Sequence, residues 1–508
     1  MKKSFFFRNA LCYVILGFVL AAGAGCKKNH NNNPSSGSNN ISISEEDSLK
    51  YYIYHYMLVA FDDQAMAYYH DSLPLYLWYR QVPTSTINPF DDVKYPKAED
   101  LLNTIISYPI NPQTGGKIDR YSFLDRQGAV SGLIQGGVTG DMGFQPAYAY
   151  DNNNQLHLVV LYVYKNSSAG QQGVQRGWEI TAINGNTNIS DNNLVINALY
   201  NSPSAQFTFK KRDGSSVTLT IQSTQYQVNP VLFDTVYTLS NGKKVGYFVF
   251  NQFVSIYDSN NQPTETKNEL DAVFKMFADS GVSTVIMDER YNGGGAVETA
   301  EYIDNKLAPA TANGKAMYSY VYNDRLMAHA TDLQLPITIN YQNTGSFNLE
   351  HVFFIVSRNT VSASELTINN LKPYMDVQLV GDTTYGKPVG FFGWPIQYDS
   401  AGQQIHAADL YSVNFQTKNA AGYGDYFTGM VPNKLEYDYI GYNWGDPNDP
   451  NLQDVFNYLT TGSYRTTSTA RLASQAQQYR VIQGSLPLKR FEGMVDYRAA
   501  GLFKPYLR

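Results

Sequence analysis

Residues 244–380 alternate between short apolar runs and amphipathic segments, and this alternation restricts the fold more than any other feature. The strand candidates are residues 244–250, 282–287, 352–356 and 377–380. Helical patterns cover residues 265–279, a segment from about Val297, and a segment after Ser362. Apolar runs of this kind suit strands that are buried on both faces, and helices between them are typical of parallel sheets. We therefore predict an α/β core.

The region from about residue 115 to 225 has a different pattern. Apolar and polar residues alternate over residues 156–164, 206–210 and 217–221, and Gly, Asn and Asp turns separate these stretches. This pattern predicts a compact β-rich module before the α/β core.

Residues 44–114 predict a small helical unit. Acidic residues 45–47 precede Leu49, Ile53 and Met57, which have helical spacing. Two further apolar segments, residues 73–79 and 98–106, are interpreted as part of the same helical unit.

The N-terminus has the pattern of an export signal. Basic residues are followed by the apolar run 10–22 and by small residues up to Cys26. We expect cleavage before Cys26, which would then carry lipid; the alternative is a plain secretory signal with an incidental cysteine. Residues 26–43 are polar and rich in turn-forming residues, as in a flexible tether. The expected location is the cell envelope, with a lipid anchor at Cys26 in the outer membrane, and the folded part facing either the periplasm or the cell exterior.

Composition argues against several classes of partner and cofactor. The net charge of −6 gives no basic footprint for nucleic acid. The seven histidines form no His-Glu-x-x-His motif and no cluster with cysteine, so we expect no metal and no other cofactor. Cys12 lies within the signal, which leaves the mature chain without a disulfide.

Three polar segments follow the strand candidates of the core. They are residues 288–295 (DERYNGGG), 360–365 (TVSASE) and 381–388 (GDTTYGKP). The glycine run by itself is explained by a tight turn, and Ser362 with Glu365 is explained by a capping box. A serine at a helix start also lies beside free backbone N–H groups that could hold an oxyanion. Lys387 is either a solvated charge or, if buried and neutral, a base.

In this order the three segments resemble the motifs of the C-terminal processing, or tail-specific, protease family. The resemblance implies a crotonase-like serine peptidase core with a Ser/Lys dyad. It makes Ser362 the nucleophile and Lys387 the general base, with the N–H groups of Gly294 and Ala363 as oxyanion donors. Many relatives carry a glutamine that orients the lysine, and this chain has Phe391 at that position.

The β-rich region resembles a PDZ domain. Residues 180–185 (ITAING) match the end of the PDZ run, and residues 140–144 (GDMGF) resemble the loop that receives a peptide C-terminus. The candidate peptide-binding residues are Gly140, Met142, Gly143 and Phe144. The implied partner is therefore a polypeptide.

Together these patterns predict six segments. They are a signal (1–25), a tether (26–43), a helical region (44–114), a PDZ-like domain (115–225), a serine peptidase core (226–465) and a tail of surface helices (466–508). The expected function is a serine endopeptidase that cleaves polypeptides in the envelope. The alternatives are a non-catalytic peptide- or ligand-binding lipoprotein of the same fold and a structural envelope protein.

Overall fold

The computed structural model describes residues 44–59, 73–400, 403–466, 479–486 and 491–498. The described residues from Ser44 onward form one compact unit. The expected signal, the tether and Cys26 lie outside the described residues. Among the described residues, no helix combines the length and the apolar character needed to cross a membrane.

The helices are α1 (Glu45–Tyr54), α2 (Ala98–Ile105), α3 (Ala129–Ile134), α4 (Ser168–Gln171), α5 (Asn192–Tyr200), α6 (Glu265–Ser280), α7 (Val297–Leu307), α8 (Asp324–Ala328), α9 (Ala363–Leu371) and α10 (Pro450–Thr461). The first strands are β1 (Phe123–Asp125), β2 (Val138–Asp141), β3 (Phe144–Tyr150), β4 (Leu156–Val163), β5 (Glu179–Ile183), β6 (Ser204–Lys210), β7 (Ser216–Gln222), β8 (Thr224–Gln227), β9 (Val231–Thr238), β10 (Lys244–Phe250), β11 (Thr284–Asp288) and β12 (Gly294–Ala296). The remaining strands are β13 (Ala316–Val321), β14 (Thr338–Asn340), β15 (His351–Val356), β16 (Asp376–Gly381), β17 (Val389–Gly390), β18 (Trp394–Ser400), β19 (Gln403–Tyr411), β20 (Phe415–Asn419), β21 (Lys434–Leu435), β22 (Arg480–Val481) and β23 (Gly493–Val495).

The central sheet has the strand order β21-β16-β15-β11-β10-β9. All neighbouring pairs are parallel except β9 with β10. Alternate residues of β10 enter different clusters, with Phe248 in the larger core and Tyr247 in the layer beneath α10. Both faces of the sheet are therefore buried, which explains the continuous apolar runs and confirms the predicted α/β core.

The β-rich region forms an antiparallel sheet of order β22-β3-β4-β5-β6-β7. Its strands β4, β6 and β7 coincide with the three predicted alternating stretches. Phe207, Phe209 and Leu158 fill its core, which is separate from the core of the central sheet.

The helical prediction for residues 73–79 is wrong. This segment contains no α-helix, and its backbone bonds to other segments: the Leu75 N–H donates to Tyr56 O at 2.8 Å and the Leu77 N–H to Val413 O at 2.9 Å. Pro74 disfavours a helical conformation at the residue before it, so a long-range pairing replaces the local helix. The helical predictions at 45–57 and 98–106 are confirmed in α1 and α2.

The prediction of surface helices after residue 465 is also wrong for most of the described tail. Residues 480–481 and 493–495 are the strands β22 and β23, and Met494 and Val495 are fully buried. Strand β23 has only three residues, too few to show a periodic pattern in the sequence. The strand that stabilises it, β12, lies far away along the chain.

Candidate active site

Ser362, Lys387 and the glycine run follow three adjacent parallel strands. The glycine run follows β11, Ser362 comes after β15, and Lys387 comes after β16. The carboxyl ends of neighbouring parallel strands lie at one edge of a sheet, so the topology brings the three motifs together.

Ser362 is the residue before helix α9 and has a strained backbone. Its φ of 60° and ψ of −100° lie outside the usual left-handed helical region, and the residue is fully buried. Strained serines at a strand-to-helix turn are found at functional sites, where the surrounding structure maintains the conformation. The hydroxyl points to Val389 O at 3.4 Å.

The carboxylate of Glu365 connects the serine and lysine segments. One oxygen accepts the backbone N–H groups of Ser362 and Lys387 at 2.8 and 2.9 Å. The other accepts the Thr384 hydroxyl at 2.6 Å and the Gly386 N–H at 2.7 Å. Burial raises the pKa of Glu365, and these four hydrogen bonds oppose that rise. Glu365 thus fixes both backbones, a role beyond the cap that its spacing predicted.

Lys387 is buried, with 1% of its surface exposed. Its Nζ lies 4.1 Å from the ring centre of Phe391 and 5.0 Å from that of Tyr121. Burial lowers the pKa of Lys387 to about 7, against the opposing charges of Glu492 and other carboxylates. The reading of Lys387 as a solvated surface charge is therefore excluded, and a large fraction is neutral at physiological pH.

Nζ of Lys387 donates a hydrogen bond to the carbonyl oxygen of Glu492 at 2.6 Å. The hydrogen bonds of the Ser362 and Lys387 side chains thus go to Val389 and Glu492, not to each other. Sequence reasoning missed Glu492, because a backbone acceptor 105 positions away leaves no signal in the sequence. It also missed the contact of Phe391, whose ring lies against the amine at the position of the relatives' glutamine.

The two proposed oxyanion donors lie side by side. A Cβ placed on Gly294 would lie 3.0 Å from the Ala363 nitrogen, and the φ of +97° at Gly294 favours glycine there. In this structure the Gly294 N–H donates to Asn292 Oδ1 at 2.8 Å. The Gly294 N–H must break this hydrogen bond before it can donate to an oxyanion.

A buried ion cluster surrounds Arg290, which shortly precedes the glycine run in the chain. Arg290 pairs with Asp288 at 2.7 Å, with Asp438 at 2.9 Å and with Asp449 at 3.0 Å. Asp449 is also the N-cap of α10. Arg290 therefore ties the end of β11 to two later segments of the chain.

Of the predicted peptide-binding residues, Gly140 lies in β2, Met142 and Gly143 lie between β2 and β3, and Phe144 begins β3, whereas Ser362 follows β15 of the central sheet. Met142 and Phe144 are buried in that sheet's core. The Gly143 N–H donates to Asp141 Oδ1 at 2.6 Å, and a Cβ on Gly143 would lie 1.8 Å from Ser167 Cβ. The cavity beside this loop has a volume of about 20 Å³, room for about one water molecule. The peptide-binding role of Gly140 and its neighbours stays a prediction.

Within the described part of the chain, no group of three or more His, Cys, Asp or Glu residues is placed to hold a metal ion.

Comparison with known proteins assigns the core to a family. Residues 244–420 match the model of peptidase family S41. The chain contains an S41 domain. This domain includes Ser362, Lys387, Gly294 and Ala363, whereas Glu492 lies beyond it.

The alignments with similar proteins extend over more of this chain than the S41 domain. Carboxyl-terminal-processing peptidase 1, chloroplastic, of Arabidopsis thaliana is 25% identical over 281 residues, which are 53% of this chain and 51% of the relative. The chain thus matches about half the length of this curated relative. A Bacteroides fragilis structure assigned to the S41 proteases has a TM-score of 0.58 at 23% identity and covers 76% of this chain and 95% of that chain. It supports a shared fold. The photosystem II D1 C-terminal processing protease covers 78% of this chain and 94% of its own at a TM-score of 0.42 and 16% identity, too low to support an argument.

The four hydrogen bonds of Glu365 lead to a stability prediction for the S41 domain. Glu365→Gln replaces one acceptor oxygen by an NH₂ group that faces buried donors, so the free energy of unfolding should fall by about 2–4 kcal/mol. Urea denaturation measures this change. The matched control is Glu289→Gln, because both carboxylate oxygens of buried Glu289 have no hydrogen-bond partner. The control removes a buried carboxyl group that no hydrogen bond stabilises and whose pKa burial raises, so it should not lower the free energy of unfolding. Equal losses in the two variants would contradict the bridging role of Glu365.

Proposed function

We propose that this chain is a serine endopeptidase of the C-terminal processing type that cleaves polypeptides through a Ser/Lys dyad. Ser362 is the nucleophile and Lys387 the general base. The single observation that carries the proposal is the shared carboxylate of Glu365, which holds a strained buried serine next to a buried lysine whose pKa is lowered to about 7.

The reaction is acyl transfer. The lone pair of neutral Lys387 Nζ takes the Ser362 hydroxyl proton while the oxygen attacks a peptide carbonyl. The N–H groups of Ala363 and Gly294 stabilise the oxyanion. The C–N bond then breaks, and the Lys387 ammonium returns the proton to the leaving amine. Water, deprotonated by Lys387, attacks the acyl-enzyme and releases the carboxylic acid and Ser362.

Neutral Lys387 can serve as base and as donor at the same time. An amine with two N–H bonds and one lone pair can donate to Glu492 O and still accept the serine proton. Phe391 and Tyr121 lie against Nζ and help to bury it, and burial is the main cause of the lowered pKa of Lys387. In this chain, burial takes the place of the glutamine of many relatives.

The proposed architecture is a crotonase-like core joined to a PDZ-like domain. The parallel sheet with a serine at the start of α9 supports the first assignment. The antiparallel sheet, in which β3 directly follows residues 140–143, supports the second. A PDZ-like domain would recruit a polypeptide by adding a strand to β3.

The proposed location is the cell envelope. It rests on the signal pattern and on Cys26 as the lipid-bearing residue, so the substrates would be envelope polypeptides or their unfolded tails.

A serine-reactive fluorophosphonate probe tests the proposal. We expect the probe to modify Ser362, identified by peptide mapping, and the labelling rate to rise with pH through about 7 as Lys387 loses its proton. Lys387→Ala should slow labelling by about 10²–10⁴-fold. Ser364→Ala is the matched control and should retain labelling, because its hydroxyl bonds to Asn292 O at 3.3 Å. Labelling elsewhere, or none above the rate of Ser362→Ala in both the intact chain and a chain that ends at residue 490, would favour the alternative of a non-catalytic binding lipoprotein.

A further inference from the structure

Residues 491–498 form a strand segment beside the candidate active site. Strand β23 pairs in parallel with β12, and the Gly493 N–H donates to Gly293 O at 2.9 Å. On its other side the Phe391 N–H donates to Met494 O at 2.9 Å, and the Asp496 N–H donates to Phe391 O at 2.9 Å. The segment thus fills a strand position between the glycine run and Phe391.

This segment places its carbonyl groups against the reactive residues. Glu492 O accepts the Lys387 Nζ hydrogen bond, and a Cβ on Gly493 would lie 3.0 Å from that Nζ. A Cβ on Gly294 would lie 2.2 Å from Gly493 O and 3.0 Å from the Ala363 nitrogen. The backbone of residues 492–493 therefore lies between the proposed base and the proposed oxyanion donors, where a cleavable peptide bond belongs.

The strand position selects side chains by size. A Cβ on Gly493 would lie 2.8 Å from Phe391 Cε2, so only glycine fits without movement of that ring. Met494 Cγ would lie 2.8 Å from a Cβ on Gly390, so a large apolar side chain is accommodated because position 390 is glycine.

We infer that this strand position is the substrate groove and that the chain's own residues 491–498 occupy it in cis. The inference rests on the proposed function for its substrate class, an extended polypeptide with a small residue at the position of Gly493 and an apolar residue at that of Met494. A substrate enters when the segment leaves, so the intact chain in this state is inhibited by its own C-terminal residues.

A second segment of the tail supports this inference independently. Strand β22 adds to the edge of β3 in antiparallel pairing, and the Ile482 N–H donates to Tyr148 O at 2.8 Å. Leu486 is buried in the same core as Met142 and Phe144. An antiparallel addition to β3 is the pairing that a PDZ-like domain offers to a peptide. The tail therefore covers this edge as well as the groove at Ser362.

The far end of the segment is held by ion pairs that can be removed without touching the groove. Asp496 accepts the Tyr320 hydroxyl at 2.5 Å. Arg498 bonds to Glu301 at 2.7 Å and to Asp496 at 2.9 Å. Arg498 is partly exposed, so its truncation weakens the anchor while Met494 and Val495 remain in place.

Thiol labelling of Ser362→Cys tests the inference without relying on catalysis. Both natural cysteines precede Ser44, so in the chain that begins at Ser44 the introduced thiol is unique. We compare iodoacetamide labelling rates of the intact chain, a chain that ends at residue 490, and Arg498→Ala. The expected increases are at least about tenfold for the shortened chain and several-fold for Arg498→Ala. A synthetic peptide of residues 491–498 should slow labelling of the shortened chain, and a scrambled peptide should not.

The control is Lys275→Ala, which breaks an exposed ion pair with Asp279 on α6 and should leave the rate unchanged. A shortened chain that stays folded by circular dichroism and labels at the intact rate would overturn the inference. If shortening unfolds the chain, an unchanged rate in Arg498→Ala overturns it. Fast labelling of the shortened chain, combined with no hydrolysis by the same chain carrying Ser362, would support the inference and refute the proposed function.

Discussion

Replacement of Ser362 by alanine is expected to lower kcat/KM for hydrolysis of an unstructured peptide by about 10⁴–10⁶-fold. In the proposed mechanism the hydroxyl supplies the attacking oxygen, which alanine lacks. Lys387→Ala should cause a loss of similar size, because nucleophile and base act as a unit and their effects are not additive. The double variant should therefore be little worse than either single variant.

The measurement is release of new termini from a labelled peptide, followed by mass spectrometry. Ser364→Ala is the matched control, since it removes a hydroxyl two residues away and should keep most of the activity. The shortened chain that ends at residue 490 provides the background in which the groove is open. Hydrolysis that survives both single substitutions in this background would refute the dyad.

The sequence predicted the elements whose signals are local. Strands 244–250 and 352–356 and the helix at 265–279 were found to within two residues at each end, because buried strands and amphipathic helices carry their own periodicity. The same local signals placed the serine at the start of α9 and the glycine run after β11. The spacing of apolar residues along the chain therefore predicted most of the α/β core.

The features that could not be predicted depend on long-range partners. Glu365 looked like a helix cap, and its bonds to Gly386 and Lys387 require the loop after β16 to fold against α9. The tail was expected to be helical, but its strands exist only because β3 and β12 offer free edges. The burial of Glu289 could not be predicted either. Its carboxylate oxygens have no hydrogen-bond partner, which lowers the free energy of unfolding, and no local sequence rule anticipates this.

Lys387→Met is expected to abolish the proposed peptidase activity and yet to stabilise the protein. Burial lowers the pKa of Lys387 from 10.5 to about 7, which corresponds to about 5 kcal/mol between the two protonation states. At neutral pH this lowers the free energy of unfolding, because the buried Lys387 amine is either charged without water around it or has given up its proton. Methionine has a similar length and no charge, so it removes this cost but also loses the hydrogen bond to Glu492 O.

The pH dependence separates these two contributions. Between pH 7 and 10.5 the unfolded chain binds the Lys387 proton and the folded chain does not, so wild-type stability rises with pH through this window. The gain from Lys387→Met should therefore be greatest below pH 7 and should disappear toward pH 10.5. Between pH 6 and pH 9 we expect the gain to shrink by roughly 2–3 kcal/mol, while the lost hydrogen bond contributes equally at both values.

Urea denaturation of the wild type and of Lys387→Met at pH 6 and pH 9 measures this difference directly. Lys275→Met on the exposed side of α6 is the control and should show no such pH dependence, because Lys275 is largely exposed and its surface ion pair is weak. A gain from Lys387→Met that is the same at both pH values would mean that Lys387 keeps an ordinary pKa in the folded protein. It would then be protonated at neutral pH and unable to accept the proton of Ser362.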